Sequence, residues 1–316
     1  MKRRSKLMLI VAAVLVGAGL LTCLVGAGVS SAAGDPLFAS TMGEGKGYRY
    51  DFDGSKIDKI KLDVVDAQIC VIGGSEESYM EILSFNENLY SFSKSKSLIS
   101  FKESPSVSSI LRFWESGFTF KGMRYILRLT PKAEEKAINI YLTDEDYVKC
   151  LEIQSVTGNI TVQNMGTDTD YLFSMEEGAV TMKNVTTGSA LNITATGTRP
   201  CTVRLDDTTV RMLTMDLMQG DVQATGLSAY TSKIGITHGS LTLDYIPREA
   251  VFTIQADTKG KLSVNNAGYI DTYQYTTKDE NADPDGETPE ETITISGKDA
   301  AVYLSIEGLP SQPSGE

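Results

Sequence analysis

One histidine, His238, and four cysteines, Cys23, Cys70, Cys150 and Cys201, are the whole stock of imidazole and thiol in this chain. Histidine is the commonest metal ligand and general base near neutral pH, so its scarcity removes most acid–base, nucleophilic and zinc chemistry at the outset. His238 stands just before Gly239 with no Cys or acid at a ligand spacing, which fits a histidine in a turn. Carboxylates pair at Asp144/Asp146, Glu176/Glu177 and Asp206/Asp207, and paired carboxylates are what glycoside cleavage requires. All three pairs fall where turns are expected, and no file of acids runs along a strand face, so they fit solvated corners. The sequence has no nucleophile elbow, Walker loop or dinucleotide fingerprint. It therefore assigns no catalytic residue, no cofactor and no metal, and predicts a protein that is not an enzyme.

Other residues are of types that bind. Leu111, Phe113, Trp114, Phe118 and Phe120 fall within ten residues and include the only tryptophan. Exposed, such a cluster is a patch for membrane, glycan or protein; buried, it caps the open end of a stacked sheet, which is the simpler role. Tyr269, Tyr273 and Tyr275 alternate onto one strand face, an arrangement that stacks on sugars or packs against a neighbouring loop. Phe113, Trp114, Phe118, Phe120, Tyr273 and Tyr275 are the candidate interaction patch. Asp283, Asp285 and Glu287 alternate beside a glycine, as calcium ligands do, but fall far short of a complete EF-hand loop and fit a solvated linker.

The elements that carry these residues repeat. Five-residue units begin at Gly158, Gly178, Cys201, Gly220, Gly239 and Gly260, at spacings of 20, 23, 19, 19 and 21. The third and fifth residues of every unit are apolar and the second and fourth mostly polar, which is the pattern of a strand with one buried face. A second strand precedes each unit, its last apolar residue being Ile153, Phe173, Ile193, Met215, Ile234 or Ile254. The extra residues Thr196 to Pro200 fall in a turn and leave both strands in register. Two strands in a period near 20 predict an all-β solenoid of stacked coils, with Gly158, Gly178, Gly220, Gly239 and Gly260 as structural turn glycines. Thr supplies 20 of the 120 residues from 151 to 270, as suits strands.

Val64 to Val71, the Ser155 to Val162 element and the coils that follow resemble the bacterial putative-adhesin family of β-strand-repeat proteins with an N-terminal anchor. The resemblance covers about residues 57 to 306. It implies a β-helical fold outside the cytoplasmic membrane, no known catalytic residues and no particular ligand. Segment 86–122 departs from it.

Charge supplies the topology. The chain carries 29 basic and 41 acidic residues, a net charge of -12 and a pI near 4.7, so nothing draws it globally to nucleic acid. Yet Lys2, Arg3, Arg4 and Lys6 precede 23 uncharged residues from Leu7 to Val29, and Asp35 is the first charge afterwards. That is long enough for a membrane helix with the N-terminus cytoplasmic. Ser31-Ala32-Ala33 is also a small-residue cleavage site, so the segment is an anchor or a signal removed near Ala33; a lipid-modified Cys23 is the third fate, disfavoured because no small residue stands just before it.

The predicted order is a tail (1–6), an anchor or signal (7–29), a stalk (30–47) and the N-terminal part of the solenoid (48–150, with an aromatic cap or insertion at 86–122). Regular coils (151–270), an acidic loop (271–291), strands 292–306 as the last rung closing the C-terminal end, and a disordered tail (307–316) complete it. Cys70 faces outward by parity, whereas Cys150 and Cys201 fit buried thiols. The expected function is a membrane-anchored, extracytoplasmic binding scaffold for an envelope protein or glycan. A sensory ectodomain and a polysaccharide-active enzyme are the alternatives.

Overall fold

The computed structural model describes residues 47–52, 57–85, 90–95, 97–103, 136–143, 148–166, 168–248, 252–276, 291–307 and 309. The 7–29 segment, Asp144/Asp146, the Phe113–Phe120 cluster and Asp283 to Glu287 lie outside the described residues. Among the described residues no helix is long and apolar enough to cross a membrane, and every regular element is a strand. The chain divides into two units. One comprises Gly47–Leu83, Ser91–Glu103 and Glu135–Glu316; the other comprises Met1–Lys46, Ser84–Tyr90 and Ser104–Glu134. In the latter the Phe85 and Tyr90 rings meet edge-on with centroids 6.0 Å apart; all that follows concerns the former.

In order, the strands are β1 (Tyr48–Asp51), β2 (Ile57–Ile72), β3 (Tyr79–Leu83), β4 (Tyr90–Lys94), β5 (Leu98–Glu103), β6 (Ala137–Tyr141), β7 (Val148–Met165) and β8 (Asp170–Met175). Then come β9 (Gly178–Thr186), β10 (Ala190–Ala195), β11 (Cys201–Tyr245), β12 (Phe252–Thr258), β13 (Leu262–Val264), β14 (Ala267–Tyr269), β15 (Thr272–Thr276) and β16 (Glu291–Ile306). The middle of the stack is regular. The first strands of successive coils pair in parallel, Ile153 opposite Phe173, Phe173 opposite Ile193, and Ile193 opposite Met215. The second strands do the same, Ile160 opposite Val180 and Val180 opposite Val203. Ile153, Phe173, Ile193, Met215, Ile160, Val162, Val180, Met182, Val203, Leu205, Val222, Ala224, Leu241 and Leu243 are all buried. The alternation in the sequence is thus the in–out parity of the coils, and burial of a Val, Leu or Ile side chain at about 1.5–3 kcal/mol each is what holds them together.

The insertion at Thr196 to Pro200 leaves both strands of its coil in register, as predicted. Cys201 therefore stays in the glycine column, opposite Gly178, with its Sγ 3.2 Å from Met175 Sδ.

Both ends of the stack are laid down out of chain order. At the N-terminal end β2 lies between β7 and a composite outer rung, in which Ile60 faces Ile99 of β5 and Ile69 faces Ile138 of β6. At the C-terminal end β16 lies between the 231–245 coil and the later coil formed by β12 and β13. Residues 292–306 are therefore not the last rung. Alternation shows that a segment is a rung but not which rungs flank it, and here the strand pairs on both edges. One register expectation also moves by two residues. Ala256, not Ile254, shares a row with Ile295 and Ile234, while Ile254 faces Ile293 opposite Ser232. A shift of two keeps parity, so the apolar pattern alone cannot detect it.

Antiparallel strands cover the ends. Asn265 and Asn266, at φ 45° and 66°, form the two-residue turn between β13 and β14, the left-handed pair that a tight hairpin requires. β15 then runs antiparallel along β12, with Tyr275 opposite Ile254 and Tyr273 opposite Ala256. At the other end β3 pairs antiparallel with β6, and β1 with β3.

Candidate functional site

Parity leaves one outward residue between each pair of core residues, and parallel stacking sets these in files. On the second strands one file runs Asn139, Cys70, Thr161, Thr181, Arg204, then Gln223, Thr242, Tyr303 and Ser263, one residue per rung. Its C-terminal half is knit by side chains. Arg204 Nη2 donates to Gln223 Oε1 at 3.1 Å, and in the adjacent file Ser240 Oγ donates to Asp221 Oδ1 at 2.8 Å. Lys261 Nζ stands 5.2 Å from the centre of the exposed Tyr303 ring. A planar donor, amides, hydroxyls and an aromatic ring with a cation above it are groups that bind without reacting. The first-strand face differs: Lys59 and Lys61 (2.7 Å for the latter) both bind Glu152, and Lys149 Nζ lies 2.6 Å from Asp58. The Lys59 hydrogen bond and then that of Lys61 hold the Glu152 carboxyl below the usual range.

A second feature is the corner of the outer N-terminal rung. There β5 ends at Glu103 and β6 begins at Ala137, with 33 residues of sequence between them. Glu103 is buried, accepts the Val65 N–H at 2.7 Å and takes an ion pair from Lys136 Nζ at 2.6 Å. Glu103 and Lys136, which flank Phe113, Trp114, Phe118 and Phe120 in the sequence, are thus held together. Those four side chains lie outside the described residues. Tyr273 and Tyr275 are half-buried in β15, on the side of Ile254 and Ala256. The Tyr269 and Tyr273 ring centroids are 4.7 Å apart, those of Phe252 and Tyr275 6.0 Å. Burial, with Tyr269 and Tyr275 adding, pushes the Tyr273 phenol up.

The other predicted residues are dispersed. Glu177 pairs with Arg199 at 2.9 Å, and Asp207 occupies a corner at φ 49°. His238 lies 3.4 Å from Asp299, exposed on both sides; the partner is 61 residues away in sequence, beyond any local spacing rule. Cys70, Cys150 and Cys201 are all free. Cys70 faces outward as predicted, but Cys150 is half-buried in an outward position opposite Lys59, not in the core. Burial raises all three thiols, Cys201 to about 11.

The glycine corner is a column of close approaches. A Cβ on Gly178 would lie 1.9 Å from the Gly158 carbonyl oxygen, and one on Gly239 1.9 Å from that of Gly220. Gly158, Gly178 and Gly239 also have positive φ, whereas Gly220 and Gly260 are absent from the positive-φ residues and are set by space alone. A corner that the pattern of apolar residues did not reveal lies six residues later. Asn164, Asn184 and Asp207 sit there at φ 57°, 52° and 49°, with Gly226 at 64°. Asn and Asp are the side chains that best tolerate this conformation, so their recurrence was a readable signal. Asn184 Nδ2 donates to Asn164 Oδ1 at 3.1 Å across the rungs.

The family described as Toastrack DUF4097 matches residues 114–300. No curated protein matches the chain. Among solved structures, a putative adhesin from Bacteroides fragilis is similar at 14% identity and a TM-score of 0.39, covering 83% of this chain and 97% of that one. A putative cell adhesion protein from Clostridium sporogenes is similar at 12% and 0.33, covering 84% and 100%. A putative lipid binding protein from Parabacteroides distasonis is similar at 11% and 0.35, covering 84% and 97%.

Proposed function

From the premise that the chain belongs to the Toastrack DUF4097 family, we propose that it is a non-enzymatic binding scaffold of the cell envelope, held outside the cytoplasmic membrane by residues 7–29. The observation that carries this is the outward file of the second strands, which presents Thr181, Arg204, Gln223, Thr242 and Tyr303 at one residue per rung over a closed apolar core. A surface so fixed loses little conformational freedom when it binds, and its residues can vary without disturbing the coils. The partner is an envelope protein or glycan that meets the ring of Tyr303 and the donors of Arg204 and Gln223. The aromatic segment between Glu103 and Lys136 supplies a second contact.

Photo-crosslinking residues placed at Thr181 and, on the other face, at Thr194 test this on intact cells. Position 181 is expected to capture an envelope component, and Arg204→Ala with Tyr303→Ala to abolish the capture. Recovery of cytoplasmic signalling proteins alone overturns the adhesive role. Polysaccharide turnover abolished by Asp206→Asn or Asp207→Asn overturns the non-enzymatic one.

A further inference from the structure

The position of β16 has a consequence for association. Its walls, Thr231–Tyr245 on one side and Phe252–Thr258 with Leu262–Val264 on the other, both precede it in the chain. Only residues 246–251 join those walls, across two rung spacings of about 4.8 Å each. In the folded unit the walls thus stand one strand apart, with β16 filling the slot between them. The slot is specific. It takes Ile293, Ile295, Ala300, Val302, Leu304 and Ile306 into the core. At its mouth the fully buried Glu291 carboxylate accepts from the Tyr245 hydroxyl and, at 2.9 Å, from the Arg248 N–H. The Tyr245 hydroxyl also meets the backbone of Ala229. An apolar strand that lacked an acid at its first position would leave this end of the slot unsatisfied. Within the chain, the sequence that meets every demand is 291–306 itself.

We propose that this rung is an exchangeable donor strand and that its intermolecular partner is a second copy of the chain, each copy seating residues 291–306 in the slot of the other. Every contact in the slot is the same whether the strand comes from its own chain or from a neighbour. The two arrangements differ only in the tether, since fourteen residues, 277–290, separate Thr276 from Glu291. A tether of that length reaches about 50 Å when extended and gives the chain's own strand an effective concentration in the millimolar range. The monomer therefore dominates in dilute solution, and exchange grows where copies are crowded.

Ser240 and Ala301 face each other across the slot boundary in outward positions. Full-length chains with Cys23, Cys70 and Cys150 replaced by Ser carry either Ser240→Cys or Ala301→Cys. The two are unfolded together, refolded at rising concentration and oxidised. The expected result is a disulfide-linked dimer, absent when each is refolded alone, whose fraction rises with concentration. Tyr245→Phe is expected to raise the exchange rate of native chains about tenfold, because about 1.4 kcal/mol is lost from the latch. It leaves the final dimer fraction unchanged, since the latch is identical in both arrangements. The chain carrying both cysteines reports correct seating by an internal disulfide. Mixed chains that stay unlinked while that variant closes internally overturn the proposal, as does light scattering that finds only monomer after refolding at every concentration.

Discussion

At the level of single residues the coils are most sensitive where backbone approaches backbone. Gly178 combines positive φ with a neighbouring carbonyl where a Cβ would sit, and neither can move without parting two rungs. Gly178→Ala is therefore expected to cost about 2 kcal/mol or more. Gly166→Ala, at a position with open space around it, should stay within about 0.5 kcal/mol. Urea unfolding of the two variants measures the difference, and equal midpoints would refute the corner as the cause. Thiol labelling probes burial in the same coils. Cys201 is buried, with its thiol raised to about 11, so a maleimide at pH 8 is expected to leave it unmodified in the native protein. Modification of Cys201 at the rate of Cys150, followed by mass spectrometry, would contradict the packing against Met175.

Elements differ in what ties them to their neighbours, and pH separates them. Lys59 and Lys61 stabilise ionised Glu152 between β2 and β7. Its folded-state pKa is depressed, so the contribution is fully present above the unfolded value of about 4.3 and is lost as pH falls through the lower folded one. Glu152→Gln should flatten the stability curve below about pH 4.3 and leave its shape near neutrality unchanged; a variant curve parallel to the parent in acid would show that the bridge is only decorative. How far such elements were legible depends on the kind of information each carries. The parity of Ile160 and Val162, the turn at Thr196 to Pro200 and the outward face of Thr161 and Arg204 are local, and the sequence pattern placed them. The left-handed column of Asn164, Asn184 and Asp207 was equally local but hidden, because apolar alternation is blind to a corner. The seat of β16, the two-residue slip at Ile254 and the meeting of His238 with Asp299 depend on which rungs become neighbours, and residues 231–306 fit more than one stacking order by alternation alone.

The order of stacking gives the whole strand-rich unit its cooperativity. A solenoid built in chain order can fray from either end one coil at a time, since each coil touches only its neighbours. Here β2 is pinned between β7 and the composite rung of β5 and β6, and β16 between the 231–245 coil and β12 with β13. Neither terminal rung can leave alone without exposing a strand from a distant part of the sequence. The Glu103–Lys136 pair holds together the two residues between which the 104–135 segment is inserted in the sequence. Replacing residues 106–133 with a four-residue Gly-Ser turn should therefore leave the urea midpoint of the coils unchanged, because the closure entropy of a connection varies only as the logarithm of its length. The same variant should lose partner capture through Phe113, Trp114, Phe118 and Phe120. A coil stack that melts when the segment is shortened would make those aromatics part of its core; a stack that survives while capture from the Thr181 position falls would make them a second contact for the partner.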